Sequence, residues 1–174
     1  EQMDLHPLLK PLAGAFCVGA LGIFFPQVMG AGYEVMNDAL RGEIALGTMM
    51  IVVLLKMVAT SLTLGSGGAG GMFGPSLFIG LMIGGSFGGI VHPLFPDYTA
   101  PVGAYAFVGM GAFLAAVTHA PLTAIFLLFE VTQDYRVVLP VLFATVVGTL
   151  IARALRHDSI DTETLRRRGI DLHA

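Results

Sequence analysis

The sequence predicts an all-α membrane protein, and three observations predict it. Of 174 residues, 55% are hydrophobic and only 12% are charged, whereas an ordinary soluble domain carries about 25% charge. Two long stretches, Met57 to Pro96 and Ala100 to Phe129, contain no Asp, Glu, Lys or Arg. A single core of this size cannot hide several such runs, so lipid is part of the solvent. Mean hydropathy is +0.81. The formal net charge of −3 decides little, because the charges cluster outside the apolar runs. No basic tract is broad enough for nucleic acid.

The N-terminal EQMDLHP lacks the basic start, short apolar core and cleavage site of a signal peptide. It reads as the middle of a protein. A first span is predicted from about Leu8 to Phe25, closed by Pro26. Gly14, Ala15, Gly19, Ala20 and Gly22 give it a small-residue face for close helix packing, and Lys10 near its start can snorkel to the interface. Cys17 is the sole cysteine, so no internal disulfide is possible, and it reads as a small packing residue. A glycine-containing loop, Gln27 to Gly32, leads to a short polar helix over Tyr33 to Leu40. Its Glu34 and Asp38, with Arg41 beyond, predict an interfacial position rather than a span.

Leu46 to Leu64 is the second long run, with Lys56 inside it. An ionisable group within a span faces protein or water and is a functional candidate by default. Two readings stand side by side. One is a fixed positive charge that raises anion occupancy in an aqueous approach; the other is a snorkelling lysine or one paired with an acid in the missing part of the protein.

Residues Gly65 to Pro75 read GSGGAGGMFGP, six glycines in eleven residues, inside an uncharged run. At membrane depth every backbone N–H and C=O needs a partner unless the segment is buried in protein or lines a cavity. Phe73 to Phe95 then reads as helix, with Pro75 in its first turn, where the missing N–H is harmless. A helix starting inside the membrane points unpaired N–H groups and its positive dipole end inward, which attracts an anion without a cation. Gly65, Gly67 and Gly70 also form a G-x-G-x-x-G. That fingerprint requires a preceding strand and an acid about 20 residues on, and the next acid is Asp97. No Gly-Lys-Ser/Thr follows, which excludes a phosphate-binding P-loop. A plainer reading is that the glycines only let helices pack closely.

His92-Pro93 to Tyr98 breaks the chain at an interface, with a tyrosine anchor. The next uncharged run is cut at His119-Ala120-Pro121, because the residue before proline disfavours helix. Two shorter helices follow, about Val102 to Thr118 and Pro121 to Thr132. Short, interrupted apolar segments are what transporters with internal repeats place around a midplane site. His119 reads as a cap or interface residue rather than a proton carrier. Glu130 reads as a structural carboxylate, accepting hydrogen bonds from a helix end or pairing with Arg136 or Arg153. Asp134 to Arg136 is a surface turn, and Val137 to Leu155 is the last membrane run. Arg153, Arg156, Arg166, Arg167 and Arg168 put excess positive charge at the C-terminal end, which is therefore cytoplasmic. Ser159 to Arg168 reads as a short amphipathic helix with Ser159 as its cap.

GSGGAGGMFGPSLFIG resembles the glycine-rich segment and Gly-x-Phe-x-Pro motif of CLC chloride channels and chloride/proton exchangers, and GMGAFLAAVTHAPLTAIFLLFEVTQDY (Gly109–Tyr135) resembles the family's next two helices. The resemblance runs over nearly the whole chain. It implies the second inverted-repeat half of the CLC fold, with tilted, broken and partial-span helices. Residues 1–155 would be the C-terminal half of the membrane domain, and residues 156–174 a cytoplasmic amphipathic helix and the start of a tail. It implies a multi-pass inner-membrane protein that transports chloride. The anion would be held by the backbone amides of Met72 and Phe73, flanked by Gly71 and Gly74. The segment SIDTETLRRRG resembles the family's SIY-type start and places Asp161 where many members carry a chloride-coordinating tyrosine. That departure puts side-chain coordination there in doubt.

The resemblance also implies a homodimer, with Ile125, Leu128, Phe129 and Leu139 at the interface. The implied partners are chloride, protons in an exchanger, the bilayer and the N-terminal half of the same protein. That half would supply the Gly-Ser-Gly-x-Pro loop, the gating Gly-x-Glu-x-Pro loop and the proton-transfer glutamate; neither loop motif occurs here. No cofactor or metal is implied. An intramembrane hydrolase would need a nucleophile with a base, paired acids or an H-E-x-x-H cluster. The five histidines are scattered, so the chain does not read as an enzyme. The competing readings are a non-conducting scaffold half and a different broken-helix anion transporter.

Overall fold

The computed structural model describes residues 9–156 except 69 and 134, together with 159 and 162. Among these the chain is all-helical, as the sequence predicts. The elements are α1 (Leu9–Phe24), a 3-10 turn (Pro26–Val28), α2 (Tyr33–Arg41), α3 (Leu46–Gly65), α4 (Phe73–Leu94), α5 (Val102–Thr118), α6 (Pro121–Thr132) and α7 (Tyr135–Leu155). The helices α3, α4 and α7 are long and apolar enough to cross a membrane, whereas α1, α5 and α6 are shorter. The amphipathic segment over 159–168 lies largely outside the described residues. At its start the Thr162 N–H donates to the Ser159 hydroxyl at 3.3 Å, an N-cap arrangement.

The helix α4 is the centre of the molecule. Its Phe78, Leu81 and Met82 are fully buried, and it packs on α5, α3 and α2. Glycines set how closely it approaches α5. A Cβ on Gly80 would lie 2.6 Å from the Phe113 Cβ and 2.7 Å from the Gly109 carbonyl oxygen. With no hydrophobic driving force between helices in lipid, such backbone contacts carry the packing energy. The helix α5 then meets α6 and α7 through Gly111, which faces Leu128, Val141 and Thr145.

Two breaks have left-handed residues that are not glycine. His119 (φ 56°) ends α5 and Gln133 (φ 50°) ends α6, and the Gln133 N–H closes α6 on the Phe129 carbonyl at 2.7 Å. Arg153 on α7 donates to the His119 carbonyl at 3.1 Å and ties the first break to the end of the last helix. The last helix begins at Tyr135, two residues before the predicted Val137, and the left-handed Gln133 has already turned the chain at the end of α6.

Candidate functional site

The first residues of the glycine segment close the end of α3. Ser66 N–H donates to Leu62 O, Gly67 N–H to Leu64 O and Gly68 N–H to Thr63 O, with Gly67 at φ 81°. That positive φ is one that L side chains rarely adopt. The chain then enters α4 through its N-cap Met72, whose φ of −81° and ψ of −14° are already helical; no side chain caps this end. An α-helix leaves its first N–H groups without intrahelical partners. Here Pro75 has no N–H, and the Ser76 N–H donates to the Met72 carbonyl at 3.0 Å. The Ser76 hydroxyl turns to that same carbonyl at 2.7 Å rather than capping the turn. The donors left at this end belong to Met72, Phe73 and Gly74. Met72 is half-buried, and the Phe73 side chain is 44% exposed.

Beside this helix start lies an open cavity of about 520 Å³. Gly70, Gly71, Gly74 and Pro75 form one wall, α3 from Lys56 to Leu64 a second, and the loop Val28–Ala31 a third. Among the described residues Lys56 is the only ionisable one that lines it. It is 3% exposed, and its Nζ donates to the carbonyls of Val28 at 2.9 Å and Gly30 at 2.6 Å. It also lies 5.0 Å from the Phe78 ring centroid, within range of a cation–π contact. The loop reaches this position through two left-handed glycines, Gly30 (φ 60°) and Gly32 (φ 72°). A Cβ on Gly32 would strike the Phe78 ring at 2.6 Å. Among the described residues Lys56 therefore neither snorkels nor meets an acid. Its partners are main-chain carbonyls, which residue identity does not announce.

The other candidates are dispersed. Asp161 lies outside the described residues, as do Arg166, Arg167 and Arg168. Leu128 is 1% exposed and packs inward on Gly111, so it does not present an outward face in this chain. Ile125 and Phe129 are half-buried, with the Phe129 ring 5.0 Å from that of Tyr135. Leu139 is 75% exposed. Glu130 is exposed, and Arg153 bonds the His119 carbonyl instead of serving as the predicted carboxylate's partner. His119 sits at the helix break, where its backbone makes the turn. No group of three or more metal-ligating side chains occurs among the described residues.

A family model described as voltage gated chloride channel matches residues 1–153. The chain belongs to the voltage-gated chloride channel family. Its relatives include a ClcB-like chloride channel protein of Ralstonia nicotianae, 41% identical over 167 residues, or 96% of this chain and 39% of that protein. The H(+)/Cl(-) exchange transporter ClcA of Klebsiella pneumoniae is 36% identical over 92% of this chain and 34% of its own length. The chain thus spans 39% and 34% of the length of these two relatives. A crystal structure of a slow cyanobacterial Cl-/H+ antiporter superposes with a TM-score of 0.71 at 34% identity, covering 76% of this chain and 31% of that one. The family's all-helical architecture, and a chain covering part of it, agree with the fold predicted from the motifs.

Proposed function

We propose that this chain forms part of a chloride-transport unit, in which the anion is held by the main-chain N–H groups of Met72 and Phe73 at the start of α4. The observation that carries the reading is the uncapped end of that helix beside the cavity. Donors left over by helix geometry, and the positive end of the helix dipole, favour an anion there. Gly71 and Gly74 line the cavity and bring main chain, not side chain, to its surface. Relatives named as a chloride channel protein and as a proton/chloride exchanger support chloride as the cargo. On this reading the mechanism is desolvation of the ion against fixed amide dipoles, with no covalent step.

The whole transport unit needs the other part of the protein and operates in the cell membrane, with the C-terminal end of this chain cytoplasmic. Its homodimer interface would use outward residues such as Leu139. The test is chloride efflux from liposomes containing the full-length parent protein, with external pH recorded simultaneously. Chloride efflux that drives protons uphill identifies an exchanger, and uncoupled efflux a channel. Absence of chloride flux or chloride binding by folded parent protein overturns the reading.

A further inference from the structure

The wall of the cavity opposite the start of α4 has the wrong polarity for an anion. Val28 to Ala31 is non-helical chain, and the Val28 and Gly30 carbonyl oxygens turn to the same point. Carbonyl oxygens converging at one point on a cavity wall form a cation site, the arrangement used by selectivity filters for cations. Here that point is occupied by a side chain of the protein itself. The Lys56 ammonium reaches it from α3, bonds both oxygens, and is clamped behind by the Phe78 face.

Resting on the chloride reading above, we propose that Lys56 is a specificity-determining residue: a built-in cation that masks the Val28 and Gly30 carbonyls and gives the cavity beside α4 its positive sign. Three features of the geometry support this. Among the described residues no acid lines the cavity, so none of them sets a carboxylate against the lysine charge there. An ammonium has three N–H donors, and two of them are used on the loop. The third has no acceptor among the described residues, and the residue lines the cavity. Finally, the loop is shaped for the contact, with Gly30 and Gly32 in left-handed conformations that bring its carbonyls round and admit Phe78. A neutral side chain at position 56 would leave two partly negative oxygens facing the ion path. Removing the positive charge and exposing the carbonyls both act against chloride.

The experiment uses the full-length parent protein with Lys56→Met, Lys56→Gln and Lys56→Arg. Chloride affinity is read by titration calorimetry, and the half-saturating concentration and maximal rate by liposome flux. Lys56→Met and Lys56→Gln are expected to weaken chloride binding and raise the half-saturating concentration about tenfold or more, as loss of a unit charge close to an ion does at low effective dielectric. Lys56→Arg keeps the charge and the donors and is expected to stay within about threefold. Lys56→Gln keeps two N–H donors for the loop, so it remains informative where Lys56→Met does not fold. A folded neutral variant with the parent's chloride affinity overturns the proposal, because a merely structural lysine would alter stability alone. Phe73→Pro separates the two readings. If it weakens binding while the neutral Lys56 variants do not, only the role of Lys56 fails. If neither changes binding, the anion site beside α4 fails as well.

Discussion

The main chains of Gly84 on α4 and Gly109 on α5 are in direct contact: a Cβ on Gly109 would lie 2.6 Å from the Gly84 Cα and 2.5 Å from the Gly80 carbonyl oxygen. Neither neighbour is the flexible end of a side chain. Gly109→Ala must therefore push the helices apart, and a loss of about 1–3 kcal/mol is expected, typical of an overpacked core. Gly89→Ala is the control, since its nearest neighbour is the Leu46 Cδ1 at 3.4 Å. Thermal unfolding of the detergent-purified parent protein should show a lowered Tm for Gly109→Ala and little change for Gly89→Ala. Equal Tm values would mean that the close approach is not maintained in the assembled protein.

At the start of α4, the identity of the side chain at position 73 should matter less than its N–H. Phe73→Pro removes one donor and keeps a helix-compatible φ. It should weaken chloride binding about tenfold or more, the scale of losing a hydrogen bond to a charged group. Phe73→Leu keeps the amide and should bind within about threefold. Calorimetric titration with chloride checks both, and equal affinities would remove the backbone amides from the site.

Asp161 stands where the family resemblance expects a coordinating tyrosine. A carboxylate there would repel chloride, whereas a phenol O–H would donate to it. Asp161→Tyr is expected to raise chloride affinity in the same titration. An unchanged affinity would mean that residue 161 faces elsewhere.

The left-handed turn at His119 should tolerate glycine better than a β-branched residue. A non-glycine residue in that conformation costs roughly 1–2 kcal/mol, and β-branching adds to the strain. His119→Val should lower Tm, and His119→Gly should leave it unchanged or raise it. Arg153→Met should cost about 1 kcal/mol or less, because the bond to the His119 carbonyl is exposed. A larger loss for Arg153→Met than for His119→Val would place the strut, not the turn, in control of the break.

The helix breaks were legible because prolines mark them: Pro26 after α1 and Pro121 after the α5 turn stand where the chain changes direction. The entry to α7 was less so, since the turn before it is made by a left-handed Gln133, a residue that does not announce that conformation. The start of α4 was readable from the glycine-rich backbone that leads into it, and its donors follow from helix geometry alone. The outward faces were not. The helices α6 and α7 are apolar all round, so Leu128 and Leu139 look alike in sequence, although one is buried on Gly111 and the other is exposed. Lys56 was visible as an anomaly, but its partners were not. They are carbonyls 26 and 28 positions away, and every residue has one.

The free donors at the start of α4 are peptide amides, and a peptide amide neither gains nor loses a proton across the physiological range. These amides therefore present a chloride with the same dipoles in acidic and in neutral surroundings. Any acid sensitivity of transport must then originate in a separate titrating group. Sensing of proton concentration would then rest on side chains, and the share of the grip that the amides carry would not change with pH.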